Sequence, residues 1–431
     1  EARPTVPPDA LYLTKMWYRE PLGLETDPEE KIMAQRQPLK NNGKQKGRRR
    51  PVKGLSGTTK RVLALILTVT LFCGAVAVVA YRDRFNLDAL KRYMTYRSLE
   101  KNDQGQTAEF TYTRDASNAF ASLNGSLVLC SDTALQLYSK SGVLYIDRQV
   151  KMHQPVISVC GTYAVVYDVG GNNLYVIHNK EVVFEYTSRS GCDLLSARVN
   201  ENGRLAVVEE ASGYKASVRI YNSEYKLVLS ENVSSEYVVD AVISPNNSQF
   251  AVVSIAQRSG KFSSILSLYD GTEGDRVAST VLEGQFILEA HWESTNIWLQ
   301  GNDSATVLDQ ELNVLGTWSE PNQYLQGYSL NGDNYAVEVA SWYKAGGSGE
   351  VLLIDERGDT ACSKAISGEV LSVSAAGRYI AVLTADALTI YTSNDLDEYA
   401  QIENNGSKRA IIHSDGATMM IGADSTWLYV P

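Results

Sequence analysis

The chain has 431 residues, of which 44% are hydrophobic and 21% charged, and its formal net charge is −10. This composition excludes a wholly disordered chain and a polytopic membrane protein. Length alone suggests about two or three average domains. The 25 Tyr residues, set against 8 Phe and only 11 Pro, favour strands.

The charge is divided sharply along the chain. Residues 1–61 hold 14 Lys/Arg and 7 Asp/Glu, a net charge of +7, whereas the remainder has a net charge of −17. Between Lys31 and Arg61 there are 11 basic residues and no acidic one. Because such a stretch cannot bury a core, residues 1–61 are predicted to be a disordered, basic, cytoplasmic tail. Aromatic side chains concentrate at residues 10–24, either as a docking motif for a cytoplasmic partner or merely as an adhesive stretch.

An apolar segment follows the tail. Residues 62–80 form a run of 19 residues without a charge, enough for a helix to cross the hydrocarbon layer of a bilayer. A buried core helix would have a polar face, and a cleaved signal peptide would not follow a 61-residue leader. We therefore predict a single transmembrane helix over 62–81, acting as a signal anchor. The basic flank places the N-terminus in the cytoplasm near anionic lipids and the C-terminal part outside the cell membrane.

A short amphipathic pattern occupies residues 82–104. Leu90 and Met94 recur at helical spacing, Asn86 is a suitable N-cap, and Asp88 suits the first turn. The pattern predicts a juxtamembrane helix, most simply a stalk. It could instead lie on the outer leaflet or pack against the base of the following domain.

From about residue 105 the sequence repeats. One recurring unit is a tight turn followed by a short apolar strand, as at Asn124-Gly125, Asn202-Gly203 and Asp415-Gly416. Asn and Gly supply the positive φ angles that tight hairpin turns require. Eight such turns recur at intervals of 36 to 48 residues, with a mean of about 42, the range typical of a propeller blade.

Further strands complete each unit. An alternating strand ending in Tyr, Asp or His follows each turn strand, as at Leu135–Tyr138 and Leu352–Asp355, and most are followed by a polar turn and another strand. Four strands per unit predict an all-β fold, a β-propeller over residues 105–431. We expect eight blades, with seven as the alternative because the turn near Thr295 is weak. The last unit ends after its third strand, so residues 108–113 are expected to supply its fourth and close the ring.

Particular segments also carry a resemblance to a known family. They are the apolar run at 62–80, the segment Val165–Tyr175, and Val199–Gly203 with Gly213–Ala216. With them, the chain resembles a bacterial, Gram-positive clostridia-type family of single-pass proteins with a WD40-like propeller of unknown function. The likeness covers roughly residues 85–431 and implies a membrane-tethered propeller. It implies no catalytic residues.

The sequence offers no linear motif for chemistry. The four histidines, at 153, 178, 291 and 413, lack zinc-site spacing, and no nucleophile elbow or sialidase-type Asp box is present. Acidic loops at 270–275 and 394–398 depart from the calcium-loop pattern and are interpreted as solvated hairpins. We therefore assign no catalytic, cofactor-binding or metal-binding residue, and expect no cofactor and no enzyme activity.

Four cysteines lie beyond the apolar run, at positions 130, 160, 192 and 362. Their even number permits disulfides outside the cytoplasm, but two of them end apolar strands, where a free thiol behaves as a small hydrophobe. The sequence assigns no pairing.

Two functions from different classes remain open. A domain with a net charge of −17 would repel nucleic acid, so a protein or an envelope ligand is the expected partner. The first hypothesis is a non-catalytic extracytoplasmic binding scaffold whose loops hold that partner. The alternative is a ligand sensor or an enzyme with its site at the channel mouth, built from several blades.

Overall fold

The structure is a computed structural model that describes residues 65–70 and 87–431, apart from residues 114, 116, 259, 320–322 and 344–346. The predicted tail at 1–61, its aromatic stretch at 10–24 and most of the predicted span lie outside the described residues. Residues 65–70 are helical and exposed. No helix in the described part of the chain is both long and apolar enough to cross a membrane. The membrane anchor therefore stays a prediction.

The described chain contains one ten-residue helix, α1 (Leu87–Tyr96), and eight antiparallel sheets of four strands each. Seven sheets are formed by consecutive strands, which we number as blades 1 to 7. Blades 1 to 4 comprise β2 (Ala119–Leu123), β3 (Ser126–Cys130), β4 (Ala134–Tyr138), β5 (Leu144–Gln149); β6 (Pro155–Cys160), β7 (Tyr163–Asp168), β8 (Asn173–His178), β9 (Glu181–Thr187); β10 (Leu194–Val199), β11 (Leu205–Glu209), β12 (Ala216–Tyr221), β13 (Leu227–Val233); and β14 (Tyr237–Ile243), β15 (Gln249–Arg258), β16 (Lys261–Asp270), β17 (Arg276–Glu283).

Blades 5 to 7 continue the same order. They comprise β18 (Ile287–Glu293), β19 (Asn296–Gly301), β20 (Ser304–Leu308), β21 (Val314–Ser319); β22 (Tyr324–Gly332), β23 (Tyr335–Ser341), β24 (Gly349–Asp355), β25 (Thr360–Ile366); and β26 (Val370–Ala376), β27 (Tyr379–Thr384), β28 (Ala387–Thr392), β29 (Glu398–Glu403). The segment around Thr295, whose turn is weak in sequence, therefore forms a complete blade.

Blade 8 joins the two ends of the propeller. It consists of β30 (Arg409–Ile412), β31 (Thr418–Ile421), β32 (Ser425–Tyr429) and, as its fourth strand, β1 (Phe110–Thr111). Phe110 pairs with Thr426 and Thr111 with Ser425. The predicted propeller of eight blades and the predicted closure by residues 108–113 are both confirmed, and the alternative of seven blades is wrong.

Local sequence explains the shape of each blade. The turn at Asn124 and Gly125 has φ angles of 51° and 76°, as the Asn-Gly pair predicts for a hairpin of this hand. The second strands are almost entirely buried, as in β11, because neighbouring blades cover both of their faces. The fourth strands alternate between exposed and partly buried residues, as in β9, because they form the outer rim. Hydrophobic clusters lie between neighbouring blades and hold them together.

The ring has two different faces. Turns between first and second strands meet from blade to blade on one side, where Asp333 N donates to Gly377 O at 3.0 Å and Asn200 Nδ2 donates to Ser244 O at 3.1 Å. Loops between second and third strands, and connections between blades, lie on the opposite side, because antiparallel strands reverse direction at each turn.

Helix α1 packs on the side that carries the turns between first and second strands, which we call the helix face. Asp88 of α1 forms an ion pair with Arg378 at 3.0 Å, and Tyr96 OH lies 3.2 Å from Nδ1 of His413. The sequence leaves open a stalk, a helix on the outer leaflet and a helix packed against the base of the propeller. In the structure, side-chain contacts join α1 to the propeller.

Candidate functional site

The first strands of all eight blades surround a central channel of about 750 Å³. That volume lies within the range of small-molecule pockets. Most of its wall is made of backbone and small or apolar side chains, and charged groups are concentrated on blades 3 and 5. The channel is thus the candidate position of the sensor or enzyme site that the sequence left open.

Arg198 of β10 is the centre of the charged group. Its guanidinium contacts Asp240 of β14 at 2.9 Å and Glu289 of β18 at 2.9 Å, and its Nη1 also lies 3.5 Å from Ser158 Oγ of β6. One side chain therefore connects blades 2, 3, 4 and 5. Asp240 is almost completely buried and also accepts hydrogen bonds from the Ser196 hydroxyl and from backbone nitrogens.

Glu289 extends the network to blade 6. Its Oε1 accepts from Arg198, and its Oε2 accepts from the Tyr328 hydroxyl of β22 at 2.7 Å. Burial by itself would raise the pKa of Glu289, but Arg198 and these hydrogen bonds hold it below its ordinary value. Burial also lowers the pKa of the nearby His291 to about 4, against the opposing effect of Glu289, so its imidazole is neutral at physiological pH.

These groups satisfy one another's hydrogen-bonding capacity. Both oxygens of Glu289 and both oxygens of Asp240 are already hydrogen-bonded, and Arg198 is shared between them. A group that acts as general base or binds an ion needs a free lone pair pointing at its substrate. The part of the chain that the structure describes also holds no group of three or more His, Cys, Asp or Glu side chains arranged for a metal ion. The geometry of the network therefore favours a structural lock between blades over a reaction centre.

A second buried carboxyl group lies in blade 6. Glu338, in the middle of β23, is completely buried, and neither of its oxygens has a hydrogen-bond partner. Burial raises its pKa to about 8, with Gln300 opposing the shift. The side chain is consequently a neutral carboxylic acid over most of the physiological pH range.

The face opposite the helix face carries a different feature. Seven aromatic side chains, each about half exposed or more, occur on the loops and strand ends of this side over four consecutive blades. They are Tyr214, Tyr237, Phe262, Phe286, Tyr324, Trp342 and Tyr343, which we call the aromatic arc. Tyr343 is the most exposed member, with an exposed fraction of 67%, and the adjacent Trp342 is 53% exposed. We call this side of the ring the aromatic face.

Several contacts hold members of the arc in place. Lys215 Nζ donates to the Tyr237 hydroxyl at 2.7 Å and lies 4.2 Å from the centre of its ring, which ties blade 3 to blade 4. The Phe286 carbonyl accepts from Asn302 N at 3.1 Å, and the Ser341 hydroxyl donates to the Tyr343 carbonyl at 3.1 Å. The arc is therefore exposed but supported by the blades beneath it.

The four histidines lie in four different environments. His178 stacks on Tyr163 with ring centres 4.0 Å apart, His153 donates its backbone N–H to Asp168 at 2.7 Å, and His291 lies in the channel. His413 lies under α1, where burial lowers its pKa against the opposing effect of Asp415.

Cys130, Cys160, Cys192 and Cys362 are free thiols in the structure. Burial raises the pKa of Cys130 to about 12 and that of Cys160 to about 11, so neither is a reactive thiolate near neutral pH.

The acidic loop at 270–275 is a hairpin turn. Asp270 Oδ1 accepts from the backbone N and the hydroxyl of Thr272, both at 2.7 Å, and from Glu273 N at 2.8 Å. The loop thus uses this carboxylate to stabilise its own backbone.

The sequence analysis predicted neither the aromatic arc nor the group of Arg198, Asp240 and Glu289, which we call the channel network. Arg198, Asp240 and Glu289 lie on successive first strands, each a few residues before a tight turn. A charged residue in an otherwise apolar strand is the signal that could have drawn attention to them. No comparable signal marks the arc, because its members occupy loops and strand ends of different kinds.

Comparison with known proteins identifies the family of this chain. A model of a family of unknown function, DUF5711, matches residues 90–426. The protein belongs to this family. No curated protein matches the sequence significantly.

Solved structures resemble the fold at low sequence identity. The C-terminal WD40 domain of Sif2 is 12% identical with a TM-score of 0.56, and the match covers 76% of this chain and 98% of that domain. Sqt1 from Saccharomyces cerevisiae is 10% identical with a TM-score of 0.53, and the match covers 76% of this chain and 99% of Sqt1. These similarities show a WD40-like propeller fold in a member of DUF5711.

Proposed function

We propose that this protein is a non-catalytic scaffold that binds a partner protein through the aromatic face of its propeller. The observation that carries the proposal is the aromatic arc. Exposed aromatic side chains on a rigid support are the groups that contribute most to protein interfaces, because they bury a large area at little entropic cost. A soluble surface rarely exposes so many of them on one side without a binding role.

Charges around the arc indicate the chemistry of the partner. Exposed acidic side chains occupy the same loops and strand ends: Glu210, Glu283, Asp303 and Glu369. With the connections that flank blades 3 to 6 included, the exposed basic ones on this face are Arg189, Lys215 and Lys261, among the side chains that the structure describes. Acidic side chains beside aromatic rings favour a partner segment that carries Lys or Arg among apolar side chains, which aromatic faces also attract directly.

The membrane tether is part of the proposal. Its support is the uncharged run at 62–80 with the basic block on its N-terminal side. On that basis the propeller is extracytoplasmic, residues 1–61 are cytoplasmic, and the partner is a secreted or surface protein.

A ligand sensor or enzyme in the channel is the second candidate. The channel volume of about 750 Å³ and the neutral His291 favour it. The contacts that Arg198, Asp240 and Glu289 make with one another weigh against it, because these groups offer little free bonding capacity to a ligand.

Photocrosslinking in intact cells tests the scaffold. A photoreactive residue replaces Tyr343 in the arc or, as the matched control, Leu315 on the outer strand of blade 5, which is also exposed. We expect one crosslinked protein at position 343 and none at 315.

The affinity of that purified protein is then measured for Trp342→Ala with Tyr343→Ala and for Val314→Ala with Leu315→Ala. The first pair should weaken binding by about tenfold or more, since interface aromatics are typical hot spots, and the second should leave it unchanged. Equal affinity of both variants, or crosslinking only at 315, would overturn the aromatic face as the binding surface.

A further inference from the structure

Helix α1 is oriented opposite to an ordinary surface helix. Its side towards the propeller carries Asp88, Arg92 and Tyr96, and Arg92 and Tyr96 are buried. Its outer side carries Leu90, Tyr93 and Met94, with exposed fractions of 61%, 65% and 57%. Surface helices of soluble domains turn their apolar stripe to the core and their charges to water.

The inward orientation is fixed by polar contacts. Arg92 donates to the Asp415 carbonyl and to the Tyr399 hydroxyl, and its guanidinium lies 5.4 Å from the centre of the Tyr399 ring. Asp88 pairs with Arg378 at 3.0 Å. Rotating the helix to bury Leu90 and Met94 would break these contacts, so the outward apolar side is a specified feature of the fold.

The apolar surface continues onto blade 1. The Lys140 ammonium donates to the Thr95 carbonyl at the end of α1, which places the β4–β5 turn beside the helix. The same turn leads into β5 through the exposed residues Val143, Leu144 and Tyr145, which are apolar or aromatic. We call Leu90, Tyr93, Met94, Val143, Leu144 and Tyr145 together the apolar patch of the helix face.

Four basic groups border this patch. Lys91 of α1 and Arg97, which follows the helix, are exposed, and Lys140 lies beside the helix. Lys180 lies 4.2 Å from the centre of the Tyr145 ring. Apolar and aromatic side chains bordered by Lys and Arg are the composition of segments that lie in the interface of a bilayer with anionic lipids. This local charge is opposite in sign to the net charge of −17 carried by residues 62–431.

The chain before α1 identifies what covers the patch. The uncharged run ends at Ala80, seven residues before Leu87. Seven residues reach at most about 25 Å when fully extended. If residues 62–80 cross a membrane, as the proposed function holds, Leu87 lies within about 25 Å of the end of the span, which keeps the apolar patch within reach of the membrane surface.

We propose that the apolar patch inserts into the interfacial layer of an anionic bilayer and seats the propeller on the membrane by its helix face. This inference rests on the membrane tether of the proposed function. It orients the ring with the aromatic arc directed away from the bilayer, open to a partner.

Fluorescence quenching by lipid tests the contact. The full-length chain is reconstituted in phosphatidylcholine/phosphatidylglycerol vesicles whose acyl chains carry bromine, which quenches tryptophan at short range. Met94→Trp places the probe in the patch, and Val277→Trp, on the exposed outer strand of blade 4, is the matched control. The emission that each substitution adds is obtained by subtracting that of the wild-type chain.

We expect the tryptophan added at position 94 to lose about half or more of its emission, as a probe buried about 5–10 Å into the interface should, and the one at 277 to be unaffected.

A chain that resists alkaline extraction but shows no quenching at 94 would overturn the inference and leave the tether standing. A chain that is extracted would overturn both. Concentration-dependent dimers with position 94 unquenched would assign the patch to a second copy instead. Crosslinking at Tyr343 is measured separately, so a failure of the scaffold is distinguishable from a failure of membrane seating.

Discussion

The two faces of this propeller are built from the same repeat but have opposite character. The helix face carries a compact apolar patch bordered by Lys91, Arg97, Lys140 and Lys180, and it is covered in part by α1. The aromatic face carries a wide arc of rings bordered by acidic side chains. The difference teaches that the repeat fixes the ring, while its loops and its N-terminal extension decide what each face binds.

The channel network connects blades 2 to 6 and should support both faces alike. Asp240→Ala leaves Arg198 without its most buried partner, so we expect the free energy of unfolding to fall by about 3–5 kcal/mol. The measurement is urea unfolding, with Asp303→Ala, an exposed carboxylate on a loop of blade 5, as the control. Hydrogen exchange should accelerate in α1 and in the arc together. Acceleration on one face alone would show that the two faces are stabilised independently.

The buried carboxyl group of Glu338, in blade 6 below the aromatic face, should make the folded protein less stable at alkaline pH. Its folded pKa of about 8 lies above the ordinary value of 4.5, so the folded protein holds a proton that the unfolded chain releases as pH rises. The stabilising effect is complete below pH 4.5 and is lost as pH rises through about 8. Compared with Glu338→Gln, the wild type should be similar in stability near pH 4.5 and weaker near pH 8 by a difference on the order of 4 kcal/mol. Unfolding curves that stay parallel across this range would show that Glu338 is ionised in the fold.

Arg92 should matter to the helix face alone. Arg92→Met removes the contacts to Asp415 and Tyr399, and we expect a loss of about 1–3 kcal/mol because the Asp415 carbonyl loses its buried hydrogen bond. Trypsin should cleave after Lys91 and Arg97 faster than in the wild type. Lys91→Met, an exposed change on the same helix, is the control for stability. Crosslinking at Tyr343 should not change, and a parallel loss there would contradict the separation of the faces.

The repeat made most of the fold predictable. Tight turns such as Asn124-Gly125 and the buried strands after them recur often enough to count eight blades, and the strand left over at 108–113 predicts the closure. The free thiols at 130 and 160 also agree with their position in apolar strands, although the sequence left their pairing open. The candidate sites were harder to predict from the sequence, because no local pattern marks a group formed by several blades.

By itself, the sequence determined the architecture, since turn chemistry and the alternation of apolar residues act between neighbours in the chain. Only the tertiary structure decided that Arg198 reaches Glu289, 91 residues away, and that α1 faces the ring with its charged side. Both depend on the closing of eight blades, which brings first strands distant in sequence around one channel and sets blades 7, 8 and 1 beneath the helix. Contacts of that kind follow from three-dimensional proximity, and the order of residues does not reveal them.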